Sequence, residues 1–343
     1  VDLGLNAPYP YRTRRYELKL EEIYKLAVKM GIDKDPRGKE EIKRILARNK
    51  EKYEKLPEKD REFFDTDSLE NPFPDSRILV GDPRTEVKLA LAGIDMEVPE
   101  VLLADRLRER GEAIDLIISH HPEGQALVNL DKVMALQADE WYRHGVPINI
   151  GEALIGKRMQ EIYRAFLPRN HERALDAARI LGIPFMSMHT VADNQVYAYL
   201  RDYLARKQPR TVGDIIDYLL EIPEYQASAR SQAGPVVIVG SKESRAGEIM
   251  VDMTGGTEGP QEVLEKLAGA GVGTIVAMHY SEKHKEEAEK QKMNVIIAGH
   301  IVSDSLGMNL ILDRLEEKGV KILPTSGLVR VSRARKKTGR SGG

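Results

Sequence analysis

Cysteine is absent from the 343 residues. That excludes disulfides, thiolate nucleophiles and structural zinc sites built on sulfur, so any metal must be held by nitrogen and oxygen. Together with 31% charged residues, the absence also suits a thermophile's composition. Long apolar runs are missing too, and none approaches the roughly 20 residues that span a bilayer. Neither sign of charge dominates. The formal net charge is −2, so global electrostatics favour neither nucleic acid nor a membrane surface. Val1 to Leu20 carries Arg12, Arg14 and Arg15 but no apolar core, which argues against a secretory signal. An initiator Met is also lacking, so a trimmed start is expected, and the cytoplasm is the expected location. No tandem repeat of 20–50 residues is evident.

What is present is a globular composition with 41% hydrophobic residues, in a chain long enough for two or three domains. Residues 1–75 read as a helical N-terminal extension. Leu20, Ile23, Tyr24 and Ala27 recur at helical spacing, with Gly31 as the expected stop. A second helix follows Pro36, its Lys/Glu-rich side facing solvent. The turn-rich Asn71-Pro72-Phe73-Pro74-Asp75 marks a boundary. Residues 76–233 then read as an α/β domain, with strands near 77–80, 87–94 and 114–119. A helical insert occupies about 131–144, 152–167 and 171–181, and another helix follows His189. Thr211 to Asp214 offers a capping box. Gly234-Pro235 opens a second α/β domain over 234–331, whose last strands are expected at 320–323 and 327–331. The tail at 332–343 is basic and expected to be disordered. The fold class is therefore α/β, two domains behind a helical extension.

Four apolar, strand-like runs end on histidine: 116–119 into His120-His121, 185–188 into His189, 275–278 into His279, and 295–299 into His300. Five of the eight histidines thus sit where a strand hands over to a loop or helix. In α/β proteins the carboxyl ends of strands are where ligands bind, and histidine is the commonest metal ligand. Adjacent strand residues point to opposite faces, so His120 and His121 converge only because Pro122 ends the strand. The alternative is one histidine bonded to backbone and one exposed. His300 and Asp304, four apart, share a helix face, although an acid in a first turn also complements the helix dipole. His189 and Asp193 repeat the spacing, with Asp193 alternatively capping a helix from Asn194. His279 has the same placement, its next carboxylate being Glu282. His284 is expected at the surface of a Lys/Glu-rich helix, and nothing marks His144 or His171. Thr254 to Gly259 could cradle a phosphate, but it lacks P-loop and GxGxxG spacing and reads better as a glycine-rich turn.

Imidazole plus carboxylate without sulfur suits zinc, manganese or iron. Three histidines and two aspartates exceed the three protein ligands usual at one catalytic zinc. Two metals bridged by a carboxylate and a water, roughly 3.5–4 Å apart, would use them all.

Asp115 to Pro122, His189-Thr190 with Asp193, and Gly299-His300 with Asp304, in this order, resemble the Nif-three-like family of dinuclear-metal proteins, often labelled type-two GTP cyclohydrolase I-like. Gly81-Asp82-Pro83 and Ala92-Gly93-Ile94-Asp95 also fit, and the resemblance covers about residues 77–332. It implies two α/β domains with mixed sheets, and dimers building a toroidal hexamer. It also implies two divalent ions held by His120, His121, Asp193, His300 and Asp304, with His189 close by as support or proton carrier. Family members usually carry Glu where this chain has Asp304, a shorter side chain with less reach. The extension and insert exceed the compact members.

The expected function is a metal-dependent hydrolase-like protein acting on GTP or another nucleotide or phosphate-containing small molecule. His189, Glu123 and His279, in that order, are the candidate catalytic proton carriers. The alternative is a metal-handling protein without turnover. A third reading makes the six basic residues from Arg330 to Arg340 a nucleic-acid anchor.

Overall fold

The computed structural model describes residues 18–334. From the N-terminal side the chain runs β1 (Leu18–Lys19), α1 (Leu20–Lys34), α2 (Lys39–Lys55) and α3 (Glu58–Arg61). The first α/β unit begins with β2 (Ser76–Val80), β3 (Glu86–Val87), β4 (Leu89–Gly93), α4 (Val98–Glu109) and β5 (Leu116–Ser119). The insert follows as α5 (Gly124–Val128), α6 (Leu130–Val133), α7 (Leu136–Arg143), α8 (Ile148–Phe166) and α9 (Arg173–Ile180). Then come β6 (Phe185–Met188), α10 (Thr190–Lys207), α11 (Val212–Leu219) and α12 (Pro223–Arg230). The remainder is β7 (Val236–Val239), β8 (Glu248–Asp252), α13 (Val263–Gly269), β9 (Val272–Ala277), α14 (Glu282–Lys290), β10 (Asn294–Ile297), α15 (His300–Glu317) and β11 (Lys321–Pro324).

Two mixed sheets result. The first has the order β11-β4-β5-β6-β2, parallel except for β2 at its edge. The second has the order β7-β10-β9-β8, parallel except for β7 at its edge. Parallel strands are usually covered on both faces, and β5 and β6 are buried along their whole length. Residues 321–324, which follow the second sheet in sequence, hydrogen-bond to β4 in the first. The segment 327–331, expected as a strand, is irregular. It follows a turn at Ser326 and Gly327, both with positive φ.

Between the sheets lie α10 and α15. The start of α10 and the end of α15 pack against the first sheet together with α1. The end of α10 and the start of α15 pack against the second. A helix covered from both sides has no solvent stripe, and Thr190 through Ala198 are all buried. The two helices approach closely at Gly307, where a Cβ would lie 2.3 Å from the Ala192 carbonyl oxygen.

Local signals explain much of this. Thr211 and Asp214 form the expected capping box, with the Thr211 hydroxyl accepting from the Asp214 N–H at 3.1 Å. Gly31 does not stop α1, which continues to Lys34. It is needed for packing, because a Cβ there would meet Phe73 and Val191 at 2.9 Å. The extension is fastened to β2 by Arg77, which donates to both carboxylate oxygens of Asp65 at 2.8 Å.

The basic tail divides. Residues 335–343 lie outside the described residues, but Arg330 and Arg333 are built into the fold. Arg330 pairs with Asp313 and Glu316, and Arg333 donates twice at 2.6 Å to the fully buried Glu224. Two of the six charges assigned to a nucleic-acid anchor are thus neutralised inside the structure. No helix among the described residues is long and apolar enough to cross a membrane.

Candidate metal centre

The carboxyl ends of β5 and β6 in the first sheet and of β9 and β10 in the second converge on one site. β5 delivers His120 and His121, and β6 delivers His189 with Asp193 one turn into α10. β10 leads through Gly299 to His300, with Asp304 one turn into α15. Gly299 has φ +117°, a region that strongly favours glycine. Helix α10 starts at Thr190 rather than near Asn194, so Asp193 lies inside its first turn and is not its cap. Asp75 takes that part, accepting from the Thr190 N–H and hydroxyl.

Asp304 is fully buried and lies at the centre. Its Oδ1 is 3.4 Å from His120 Nε2, and its Oδ2 is 3.5 Å from both His121 Nε2 and His300 Nε2. His120 Nε2 also lies 3.5 Å from Asp193 Oδ1, and His189 Nε2 lies 3.9 Å from Asp193 Oδ2. The ligand-competent atoms of His120, His121 and Asp304 lie within 4.8 Å of one another, as do those of His120, His189 and Asp193. His189 therefore joins the possible ligands, closer in than the supporting position that the resemblance implied for it.

Three of the imidazoles are oriented through Nδ1. His121 donates to Asp95 at 2.6 Å, His189 to Asp75 at 2.9 Å, and His120 to the Met188 carbonyl at 3.2 Å. Each bond leaves Nε2 unprotonated and facing the centre in the neutral ring. Such outer partners commonly fix metal-binding histidines. His120 Nε2, Asp193 Oδ1 and both Asp304 oxygens are buried without a hydrogen-bond partner. Unsatisfied buried polar atoms are rare and costly, and here they point toward one another. Two atoms bound tetrahedrally to one ion at ~2.1 Å would lie about 3.4 Å apart. The observed separations match, so the donor set fits a divalent cation.

Electrostatics agree with the geometry. Burial opposes ionisation of Asp304, yet His120, His121 and His300 outweigh it and hold the carboxyl well below the usual range. Burial likewise disfavours charge on His121, but Asp304 and Asp95 push it up to about 10. Burial lowers His300 to about 4 against the attraction of Asp304. Burial raises Asp193 to about 6, with His189 and His120 pulling the other way.

The structure was compared with known proteins. A NIF3 superfamily protein from Sphaerobacter thermophilus has 25% sequence identity and a TM-score of 0.70, with 91% of this chain and 99% of that one covered. The chain shares the NIF3-like fold. Reduced HcgD from Methanocaldococcus jannaschii also matches, at 14% identity and a TM-score of 0.49, covering 77% of this chain and 93% of that one. A Bacillus cereus protein related to NIF3 matches at 12% identity and 0.40, covering 73% and 91%. No family model matches the sequence. No curated protein matches it significantly.

Beside its histidine centre the protein has a cleft of about 50 Å³, lined by His189, Asp193, His300 and Asp304 on one side. The other side comes from the second sheet and the loop after β8: Asp252, Thr254, Thr257, Glu258 and His279. His279 donates from Nδ1 to Glu258 at 3.1 Å, and its ring lies 4.8 Å from that of His300. Glu123 does not line the cleft. It precedes α5, and burial first, then Glu97, raises its carboxyl to about 7. His284, expected at the surface, is buried, bonded to Ser281 and donating to the Gly259 carbonyl at 3.0 Å. The glycine-rich loop owes its glycines to backbone conformation and packing, because Gly255 and Gly256 both have positive φ and a Cβ on them would meet Gln137 and Val133. Asp75, Asp252 and Glu258 were not singled out on sequence, and Asp95 was noted only as part of a strand end.

Proposed function

We propose that this protein is a dinuclear-metal hydrolase acting on a nucleotide, GTP included, or on another small phosphate-containing molecule. One observation carries the reading: Asp304 has two buried, unpartnered oxygens, one facing His120 and the other facing His121 and His300. A carboxylate so placed is suited to serve two ions at once. On this reading His120, His189 and Asp193 flank one position, His121 and His300 flank the other, and Asp304 is shared. The nitrogen and oxygen donors suit zinc, manganese or iron.

Bound divalent ions would supply Lewis-acid activation of water and of a substrate oxygen. The chain itself supplies orientation and proton handling. Asp75, Asp95 and the Met188 carbonyl hold three imidazoles in register. Glu258 fixes Nδ1 of His279, which leaves Nε2 to hold or pass on a proton across the cleft. The size of the cleft favours small substrates. Assembly into dimers or a hexamer belongs to the same proposal, and light scattering of the purified chain checks it.

The test is reconstitution with Mn, Zn or Fe followed by assay against GTP and nucleotide esters. Turnover that disappears in Asp304→Asn is expected. Tight binding of two ions with no turnover would overturn the hydrolase and favour metal handling instead.

A further inference from the structure

The cleft has a second wall that the metal centre does not use. It is built by the end of β8 and the loop 254–259, and Asp252 is its charged member beside the Glu258–His279 pair. The half-buried Asp252 carboxylate accepts no hydrogen bond and makes no ion pair among the described residues, and it faces the cleft. It lines both the cleft and a smaller chamber behind it, where Trp141, Met250 and Tyr280 provide apolar surface. A ligand that closes the cleft over this carboxylate would take it from water, and that costs free energy unless the ligand donates a hydrogen bond to it.

The wall is also held in place. Gln137 donates to the carbonyls of Gly255 and Thr257, both at 2.7 Å, and Arg158 donates to the Glu258 carbonyl at 3.2 Å. Thr254 donates to Asn194 on α10 at 2.7 Å. The helical insert and α10 thus fix a loop from the other unit, and rigid support of this kind is what a recognition surface requires. The opposite wall is occupied by imidazoles and carboxylates directed at a cation.

We propose that Asp252 is a specificity residue that accepts a hydrogen bond from an N–H group of the substrate, while the substrate's oxygen-bearing end faces the histidine centre. The inference rests on the reading of that centre as the reactive one. The ligand class is a small phosphate ester that also carries an N–H donor, either an alkylammonium group or an amino-substituted ring. Glu258 is already engaged with His279 and the Thr254 hydroxyl with Asn194. Asp252 is the carboxylate on this wall left for the ligand.

The experiment uses full-length protein loaded with Mn²⁺, its metal content measured before binding is measured by calorimetry. One arm compares 2-aminoethyl phosphate with ethyl phosphate. The other compares adenosine 5′-monophosphate with purine riboside 5′-monophosphate, which lacks the amino group. A hydrogen bond to a charged acceptor predicts a preference of roughly tenfold or more for the amino-bearing partner, and the arm that shows it identifies the source of the N–H. Asp252→Asn, nearly isosteric, should erase the preference while keeping the metal content and the circular dichroism of the parent. Metal-loaded protein with no preference in either arm would overturn the assignment and leave the metal centre standing. So would a preference that survives Asp252→Asn. Failure to load metal would overturn the reading of the centre, and this inference with it.

Discussion

At the scale of residues, the centre depends on which nitrogen each histidine presents. His189 faces inward with Nε2 because Asp75 accepts from its Nδ1, and the same Asp75 oxygen accepts from Thr190. Asp75→Asn keeps the shape but weakens the acceptor. Metal affinity should fall about 10–100-fold, read by competition with a chelator, and unchanged affinity would remove Asp75 from the account. A second expectation concerns protons. His121 is pushed to about 10 in the metal-free protein, so at neutral pH it carries a proton that an incoming cation must displace. Metal binding at pH 7 should therefore release protons, and affinity should rise with pH up to about 10. For folding the sign is reversed. A histidine raised above its ordinary value stabilises the metal-free protein fully below about 6.5, and that contribution is lost as pH climbs through about 10. Calorimetry in buffers of different ionisation enthalpy, with thermal melts across this range, checks both. Chain order and four-residue spacing singled out His120, His121, Asp193, His300 and Asp304 as candidates, and the resemblance implied them as a ligand set. Asp75 was not singled out, because its turn-rich surroundings read only as a boundary and its partner lies 114 residues away.

At the scale of elements, the packing of α10 against α15, which run in opposite directions, does the positioning. Each helix begins on a histidine or just after one and places an aspartate one turn in. Their close approach at Gly307 sets the distance between Asp193 and Asp304. Gly307→Ala would drive a methyl group into the Ala192 backbone. Overpacking of this kind costs on the order of 1–3 kcal/mol, and here it should also lower metal affinity by spreading the helices. A thermal melt paired with a metal titration measures the two effects, and an unaltered titration would show that the helix spacing is not what sets the site. Most strands and the long helices were readable from periodicity, and the Thr211 box from its motif. The α4 helix was missed because its apolar run Val101–Ala104 includes the exposed Leu102 and Leu103, which blurs the helical stripe, and its N-cap is Glu97 rather than a short polar residue. Gly31 misled because glycine serves both as a helix stop and where a neighbour crowds the backbone. His284 misled because the charged residues of α14 conceal the face that reaches Gly259.

At the scale of the whole molecule, the site exists only where two sheets meet. The chain ties them together repeatedly. β11 returns to the first sheet after the second is complete, and the insert of the first unit grips the loop of the second. The segment 325–334 then runs back across α15 to Glu224 on α12. Sequence order divides the chain near Gly234, but strand pairing over a separation of more than 200 residues leaves no local pattern to read. The Arg333–Glu224 pair tests this closure. Removing one partner of a buried ion pair costs about 3–5 kcal/mol, so Arg333→Ala should lower the unfolding midpoint clearly at neutral pH. Arg333 is partly exposed, so the lower end of that range is expected. An unchanged midpoint would mean that the C-terminal segment adds nothing to the union of the two units. The central claim remains that five to six imidazole and carboxylate side chains from both sheets hold two ions around Asp304. Anomalous scattering from crystals of the as-purified protein tests it most directly, because it counts and identifies metals together. Two peaks flanking the Asp304 carboxylate, both lost in Asp304→Ala, are the predicted result. A single peak, or none after incubation with Zn, Mn or Fe, would contradict it.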